Sequence, residues 1–217
     1  MSGAAGPALA PEGWPFVLGG AAFSVAVWLL WPRAVPLAIL GVLFTFFSLW
    51  FFRNPARVPP GGAGIVVSPA DGKIIISGDC PAGRYAAAPG KQVSIFMSPL
   101  DVHVNRAPVT GRVTSVRYHP GEYHVASVDK ASLRNEQNGV TLETPEGRAV
   151  TYVQIAGMVA RRIVCDLKEG DAVRQGQRVG MIRFGSRVDV FLPAETEVRV
   201  AKGDRVRAGE TVIGVLP

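Results

Sequence analysis

Residues 14–31 and 35–52 are two apolar stretches in which no acidic or basic side chain occurs, separated only by Pro32, Arg33 and Ala34. As helices, each is about long enough to cross the hydrocarbon core of a bilayer. The short connector predicts two antiparallel helices, a hydrophobic hairpin over 14–52. No Lys or Arg precedes the first stretch, which argues against a cleaved signal peptide. The competing reading is a buried hairpin in a soluble protein. It is weakened because residues 53–217 already read as a complete domain. Residues 1–13 are small and polar and read as disordered.

The chain carries a net charge of +6, and before residue 53 its only charges are Glu12 and Arg33. All of the excess therefore lies beyond the hairpin. Arg53 and Arg57 follow the second stretch at once, which predicts attachment to the cell membrane with the C-terminal domain on the cytoplasmic side. A basic domain suits an anionic lipid surface. No nucleic-acid partner is expected, since there is no basic helix, zinc spacing or RNP-like aromatic motif. Cys80 and Cys165 form no CxxC and read as structural thiols of a reducing compartment.

Residues 53–64 are rich in Pro and Gly and read as a linker. From residue 65 onward, short β-branched runs alternate with Gly, Pro and Asp. Runs at 65–67, 73–77, 93–97, 111–118, 140–144, 149–155 and 188–192 predict strands. A helix is expected over 156–165 and a loop over 127–138. Gly170-Asp171-Ala172-Val173-Arg174-Gln175-Gly176-Gln177-Arg178-Val179 repeats as Gly203-Asp204-Arg205-Val206-Arg207-Ala208-Gly209-Glu210-Thr211-Val212. This pattern resembles the hammerhead units of biotinyl and lipoyl carrier domains, and Ser68-Pro69-Ala70-Asp71-Gly72-Lys73-Ile74 fits their opening turn. The expected fold class is therefore mainly β: a biotinyl/lipoyl-like barrel-sandwich domain over 65–217 behind the N-terminal hydrophobic helical hairpin. A carrier needs a lysine at a hairpin tip, and neither repeat has one.

Seven ordered segments carry a closer resemblance. They are Phe52-Arg53-Asn54-Pro55, Ser68-Pro69-Ala70-Asp71-Gly72, Phe96-Met97-Ser98-Pro99-Leu100-Asp101-Val102-His103-Val104-Asn105-Arg106-Ala107-Pro108, Tyr118-His119-Pro120-Gly121, Asn135-Glu136, Gln154-Ile155-Ala156-Gly157 with Ala160-Arg161-Arg162-Ile163, and Gly180-Met181-Ile182-Arg183-Phe184-Gly185-Ser186. In this order they resemble the short form of phosphatidylserine decarboxylase, a pyruvoyl-dependent, self-processing proenzyme.

The resemblance implies that the Ser186 hydroxyl attacks the Gly185 carbonyl and that β-elimination then breaks the chain. Residues 1–185 become a β chain and residues 186–217 an α chain, and the two stay associated. The dehydroalanine left at 186 hydrolyses with loss of ammonia to a covalent pyruvoyl cofactor derived from Ser186, which forms a Schiff base with phosphatidylserine, a phospholipid substrate in the membrane. The products are phosphatidylethanolamine and CO2. A homodimer of such protomers is an assembly open to it. A serine hydroxyl is a weak nucleophile and needs a base, and loss of CO2 calls for a proton donor. Of the three histidines, His103 lies in the family's Asp-x-His segment and is the expected catalytic one. Asp71 matches the aspartate that assists self-cleavage; a turn role before Gly72 is the competing reading.

Some members carry a second histidine where this chain has Arg106, which cannot act as a base at neutral pH. Either His103 serves both steps or His119 helps; His119 also reads as a turn residue. His124 fits no motif. Glu136, beside Asn135, is a supporting residue that orders a loop. Phe184 and Arg187 also depart from other branches. Arg53, Arg57, Arg161 and Arg162 are candidates for pairing with lipid phosphate.

Two other classes compete with this reading. A non-enzymatic membrane adaptor or carrier with a biotinyl-like barrel is suggested by the hairpin repeats and opposed by the missing tip lysine. A zinc hydrolase is opposed by the lack of any His-x-His or His-x3-His pair, so no metal is expected.

Overall fold

Both apolar stretches form helices, α1 (Trp14–Leu30) and α2 (Val35–Phe51), each with proline in its first turn, where a missing N–H does no harm. The structure, a computed structural model, describes residues 7–86, 88–122, 135–157, 162–183 and 186–217. Contacts divide the chain into two units, Met1–Ala56 and Arg57–Pro217.

In the first unit the helices meet through small residues. A Cβ on Gly20 would lie 2.5 Å from Thr45 Oγ1, and one on Gly41 would lie 2.3 Å from Ser24 Oγ. Ser24, Thr45 and Ser48 donate their hydroxyls to carbonyls one turn back, so no polar group at this seam needs water. The other faces expose Trp28, Leu29, Leu40, Leu43 and Phe46. The span Pro11–Leu30 is long and apolar enough to cross a membrane, whereas α2 is shorter.

The second unit is built of strands β1 (Ile65–Val67), β2 (Gly72–Cys80), β3 (Gly90–Met97), β4 (Val104–Arg106), β5 (Gly111–His119), β6 (Gln137–Glu143), β7 (Ala149–Ile155), β8 (Ile163–Cys165), β9 (Ala172–Val173), β10 (Arg178–Ile182), β11 (Ser186–Leu192), β12 (Glu197–Val198), β13 (Arg205–Val206) and β14 (Val212–Val215). Eight of them form one curled antiparallel sheet in the order β13-β2-β3-β11-β7-β6-β5-β9. Two three-stranded sheets, β1-β14-β12 and β4-β10-β8, complete the unit.

Alternation along the strands selects the core face of the large sheet. Val93 and Ile95 of β3, Val188 and Val190 of β11, Val150 and Tyr152 of β7, and Val140 and Leu142 of β6 all lie in one buried cluster.

The internal repeat is real in three dimensions. In one copy Lys168 N–H donates to Asp171 Oδ2, in the other Ala201 N–H to Asp204 Oδ2, both at 2.8 Å. Gly176 and Gly209 share φ of 75°, a left-handed value that favours glycine. Each copy docks on a similar turn. Gly176 N–H donates to Ala107 O and Gly209 N–H to Ser68 O. Residues 68–74 (Ser-Pro-Ala-Asp-Gly-Lys-Ile) and 107–113 (Ala-Pro-Val-Thr-Gly-Arg-Val) are thus related halves.

Two local expectations are corrected. Within 156–165, residues 163–165 are strand β8, paired with β10, rather than helix; residues 158–161 lie outside the described residues. Of the expected loop 127–138, Gln137 and Asn138 already belong to β6 and pair with Ile155 and Gln154. In both places a ladder partner distant in sequence overrides the local pattern.

Candidate active site

The core face of the large sheet is apolar along most of its length and turns polar at one end. There β11 presents Ser186, β7 Gln154 and β6 Asn138, all buried. Ser186 opens β11 opposite Met97, and its Oγ lies 3.3 Å from Met97 Sδ. A thioether is a weak acceptor, so it holds the hydroxyl loosely. Asn105 Nδ2 approaches the same sulfur at 3.8 Å. Gln154 Nε2 donates to Asn105 Oδ1 at 2.9 Å, and Asn138 Nδ2 donates to Gln154 Oε1 at 3.1 Å. Gly185, Phe184, His124 and Arg161 lie outside the described residues.

His103 is fully buried just before β4, and its carbonyl accepts from Ile182 N–H at the end of β10. Its Nδ1 sits 3.0 Å from Asp101 O. A carbonyl only accepts, so the proton is on Nδ1 and Nε2 is the basic nitrogen. Asp101 in turn caps Ser98 N–H through Oδ2 at 2.8 Å. Asn105, two residues beyond His103, reaches Met97, which touches Ser186.

Asp71 precedes β2, whose first residue, Gly72, packs so tightly that a Cβ would lie 2.1 Å from Phe96 O. Asp71 Oδ1 accepts from Ala208 N–H at 2.7 Å. Thr110 does the same work in the related half, accepting from Gln175 N–H at 2.9 Å. Half of the Asp71 carboxylate is therefore a turn lock. The other oxygen pairs with Arg57 Nη2 at 2.8 Å. Burial pushes the Asp71 carboxyl above its usual range, against the Ala208 N–H and the Arg57 charge, which both pull it down. Arg57 also bridges to Glu210 at 2.8 Å. With its side chain only 9% exposed and held by two carboxylates, it is not available to lipid phosphate, which corrects that expectation. Arg53 Nη1 donates to Trp50 O, and its guanidinium lies 4.1 Å over the Trp50 ring. Arg106 is buried and donates to Gly176 O at 2.9 Å.

Register separates the remaining candidates. Arg187 pairs with Ile155, Ile155 with Gln137, and Gln137 with His119. Directly paired residues share a face, so His119 points to the face opposite Ser186. There its Nδ1 lies 3.1 Å from Tyr85 Oη. Glu136 precedes Gln137 and so falls on the Ser186 face; Ala156 N–H donates to its carbonyl at 3.0 Å, which extends the ladder. Its Oε1 accepts from Tyr118 Oη at 3.0 Å.

The matching relatives share this architecture's sequence over almost its whole length. The family model described as phosphatidylserine decarboxylase matches residues 44–214. A phosphatidylserine decarboxylase proenzyme of Geotalea uraniireducens is 47% identical over 209 residues, covering 96% of this chain and 97% of the relative. One from Syntrophus aciditrophicus is 45% identical over 207 residues, covering 95% and 96%. A third, from Paramagnetospirillum magneticum, is 47% identical over 208 residues, covering 94% and 85%. The chain belongs to the phosphatidylserine decarboxylase family. As a member of that family it is an enzyme made as a proenzyme, and the adaptor reading falls away. Among the described residues no cluster of three His, Cys, Asp or Glu could hold a metal ion.

Sequence reasoning missed Met97, Asn105, Asn138 and Gln154 as lining. The available signal was parity: Asn138 and Gln154 fall in register with core positions that are otherwise apolar.

Proposed function

We propose that this chain is a membrane-attached phosphatidylserine decarboxylase that cuts itself between Gly185 and Ser186 and converts phosphatidylserine to phosphatidylethanolamine and CO2. The observation that carries this reading is a fully buried serine, at the first residue of a central strand, on the one polar end of an otherwise apolar face. The same end gathers three buried amides, Asn105, Asn138 and Gln154.

A pyruvoyl group at residue 186 supplies a carbonyl electron sink for the electrons released with CO2. It fits this position, because it needs no more room than the serine it replaces. The surrounding residues do the rest. Burial of Ser186 excludes water and strengthens every polar contact around it. His103, with its proton fixed on Nδ1, carries protons at Nε2. Asp71 braces the β2 turn for self-cleavage. His119, on the far face, supports the sheet rather than the chemistry.

The β chain 1–185 and the α chain 186–217 stay together because β11 lies between β3 and β7 and is held by two ladders. The paired hammerhead turns support a biotinyl/lipoyl-like barrel-sandwich for residues 65–217. The apolar hairpin and the Arg53 and Arg57 charges after it support membrane attachment with the catalytic domain on the cytoplasmic side.

Mass spectrometry of purified protein tests the reading. Active material should contain two chains, the smaller beginning at a blocked, carbonyl-reactive residue 186. Ser186→Ala should remain one chain with no turnover. Active protein with an intact 185–186 bond would overturn it.

A further inference from the structure

Glu136 is the carboxylate on this face that self-cleavage and proton return leave without a task. It is only 6% exposed. Oε1 accepts from Tyr118, which is itself 58% exposed. Oε2 is buried and has no hydrogen-bond partner, and no Lys or Arg among the described residues pairs with the carboxylate. An ionised oxygen held away from water without a donor is costly. The arrangement is therefore poised for a cationic donor that arrives with a ligand.

The substrate supplies one. The serine headgroup carries an ammonium at neutral pH, and an ammonium has no lone pair with which to attack a carbonyl. Placement agrees. Register puts Glu136 and Ser186 on the same face, two strand spacings apart, since β7 lies between β6 and β11. That is about 10 Å between backbones. The row between them holds Ala156, just after Ile155 of β7, which pairs with both Arg187 and Gln137; the single methyl of Ala156 leaves room above the sheet for an amine nitrogen between the two side chains.

We propose that the Glu136 carboxylate binds the ammonium of the incoming lipid headgroup and removes one of its protons through Oε2. The N–H bond breaks, an O–H bond forms, and the electron pair stays on nitrogen, free for the carbonyl at residue 186. Tyr118 orients the carboxylate from the solvent side. This assignment rests on the decarboxylase reading above and adds the group that recognises the amine.

The test compares two nucleophiles on full-length, self-cleaved protein. Hydroxylamine is largely neutral at pH 7 and needs no base to react with a keto group; phosphatidylserine does. Wild-type protein should form a hydroxylamine adduct on the α chain and, with cyanoborohydride, a reduced lipid adduct, both read by mass spectrometry. Glu136→Gln should cut itself normally and react with hydroxylamine within about twofold of wild type, while lipid trapping slows by about 100-fold. Glu136→Asp keeps the charge and should trap lipid faster than the Gln variant. Equal loss toward both nucleophiles, no loss toward either, or failure of a folded Gln variant to cut would overturn the assignment. If the Gln variant does not fold, Glu136→Asp carries the test: slower lipid trapping with hydroxylamine unchanged supports it, and parallel loss of both overturns it. A wild type that is uncut or inert to hydroxylamine would instead sink the decarboxylase reading itself.

Discussion

At the scale of single residues, three strand registers place one of two histidines that look alike in sequence. His103 and His119 each sit in a segment quoted for the family, and each has one ring nitrogen held by a neighbour. His103 is fully buried two residues before Asn105, whose side chain reaches Met97 beside Ser186, whereas His119 follows the pairing His119–Gln137–Ile155–Arg187 to the face opposite Ser186. A His103→Gln variant keeps an amide that can still hydrogen-bond but cannot carry a proton near neutral pH. Release of CO2 from carboxyl-labelled phosphatidylserine should fall by about 100-fold or more. His119→Gln removes the contact to Tyr85 Oη and should leave turnover within about threefold, with a stability loss of about 1 kcal/mol. Equal losses for the two variants would contradict the register argument.

At the scale of elements, β11 matters most, because cleavage would turn its first residue into a chain terminus, and termini fray unless tied down. The outer face supplies a tie. Arg187 Nε pairs with Asp189 Oδ1 at 2.5 Å, and its Nη2 donates to Ser94 Oγ at 3.1 Å. Gln92 Nε2 adds a bond to the same Ser94 Oγ at 3.0 Å. Arg187 and Asp189 are almost wholly buried, so removing one charge strands the other. Arg187→Met should cost about 3–5 kcal/mol in denaturant unfolding, and adding Asp189→Leu should recover much of it. A single variant as stable as wild type would show the pair to be dispensable.

The same element shows what could be read in advance. The apolar alternation of 188–192 and 149–155 was plain in the sequence, and so was the Gly-Ser step before it. The doubled Gly-Asp turn announced two related halves. Strand β8 is hidden in the sequence because the run 156–165 lacks turn residues after Gly157, and what makes 163–165 extended is a ladder with β10. The polar lining was hidden for a related reason. Asn105, Asn138 and Gln154 meet only once registers are fixed across β6, β7 and β11 and the small sheet is laid on the core face. A single sequence states which residues are polar, but not which of them share an end.

For the whole molecule, the division after Ala56 predicts how the tasks separate. Ser186, His103, Asp71 and Glu136 all belong to the unit Arg57–Pro217, which has its own closed core. The hairpin unit turns large apolar side chains outward, including Leu18, Trp28, Leu30 and Phe46, surface that water disfavours at roughly 25 cal/mol per Å2. Full-length protein should therefore stay with membranes through a high-salt wash, while residues 57–217 should be released and still cut themselves. The exact start of the fragment is decisive. Arg57 holds both Asp71 and Glu210, and Pro59 packs on Gly176 where a Cβ would come within 2.4 Å. A fragment beginning at residue 65 loses both contacts and leaves the half-buried Asp71 carboxylate with Ala208 N–H but without its cation, at a cost of about 1–3 kcal/mol. It should unfold at lower denaturant and convert to two chains more slowly than 57–217, as followed by gel over time. Equal stability and equal cutting of the two fragments would show that residues 57–64 are a linker and not the first structural element of the catalytic unit.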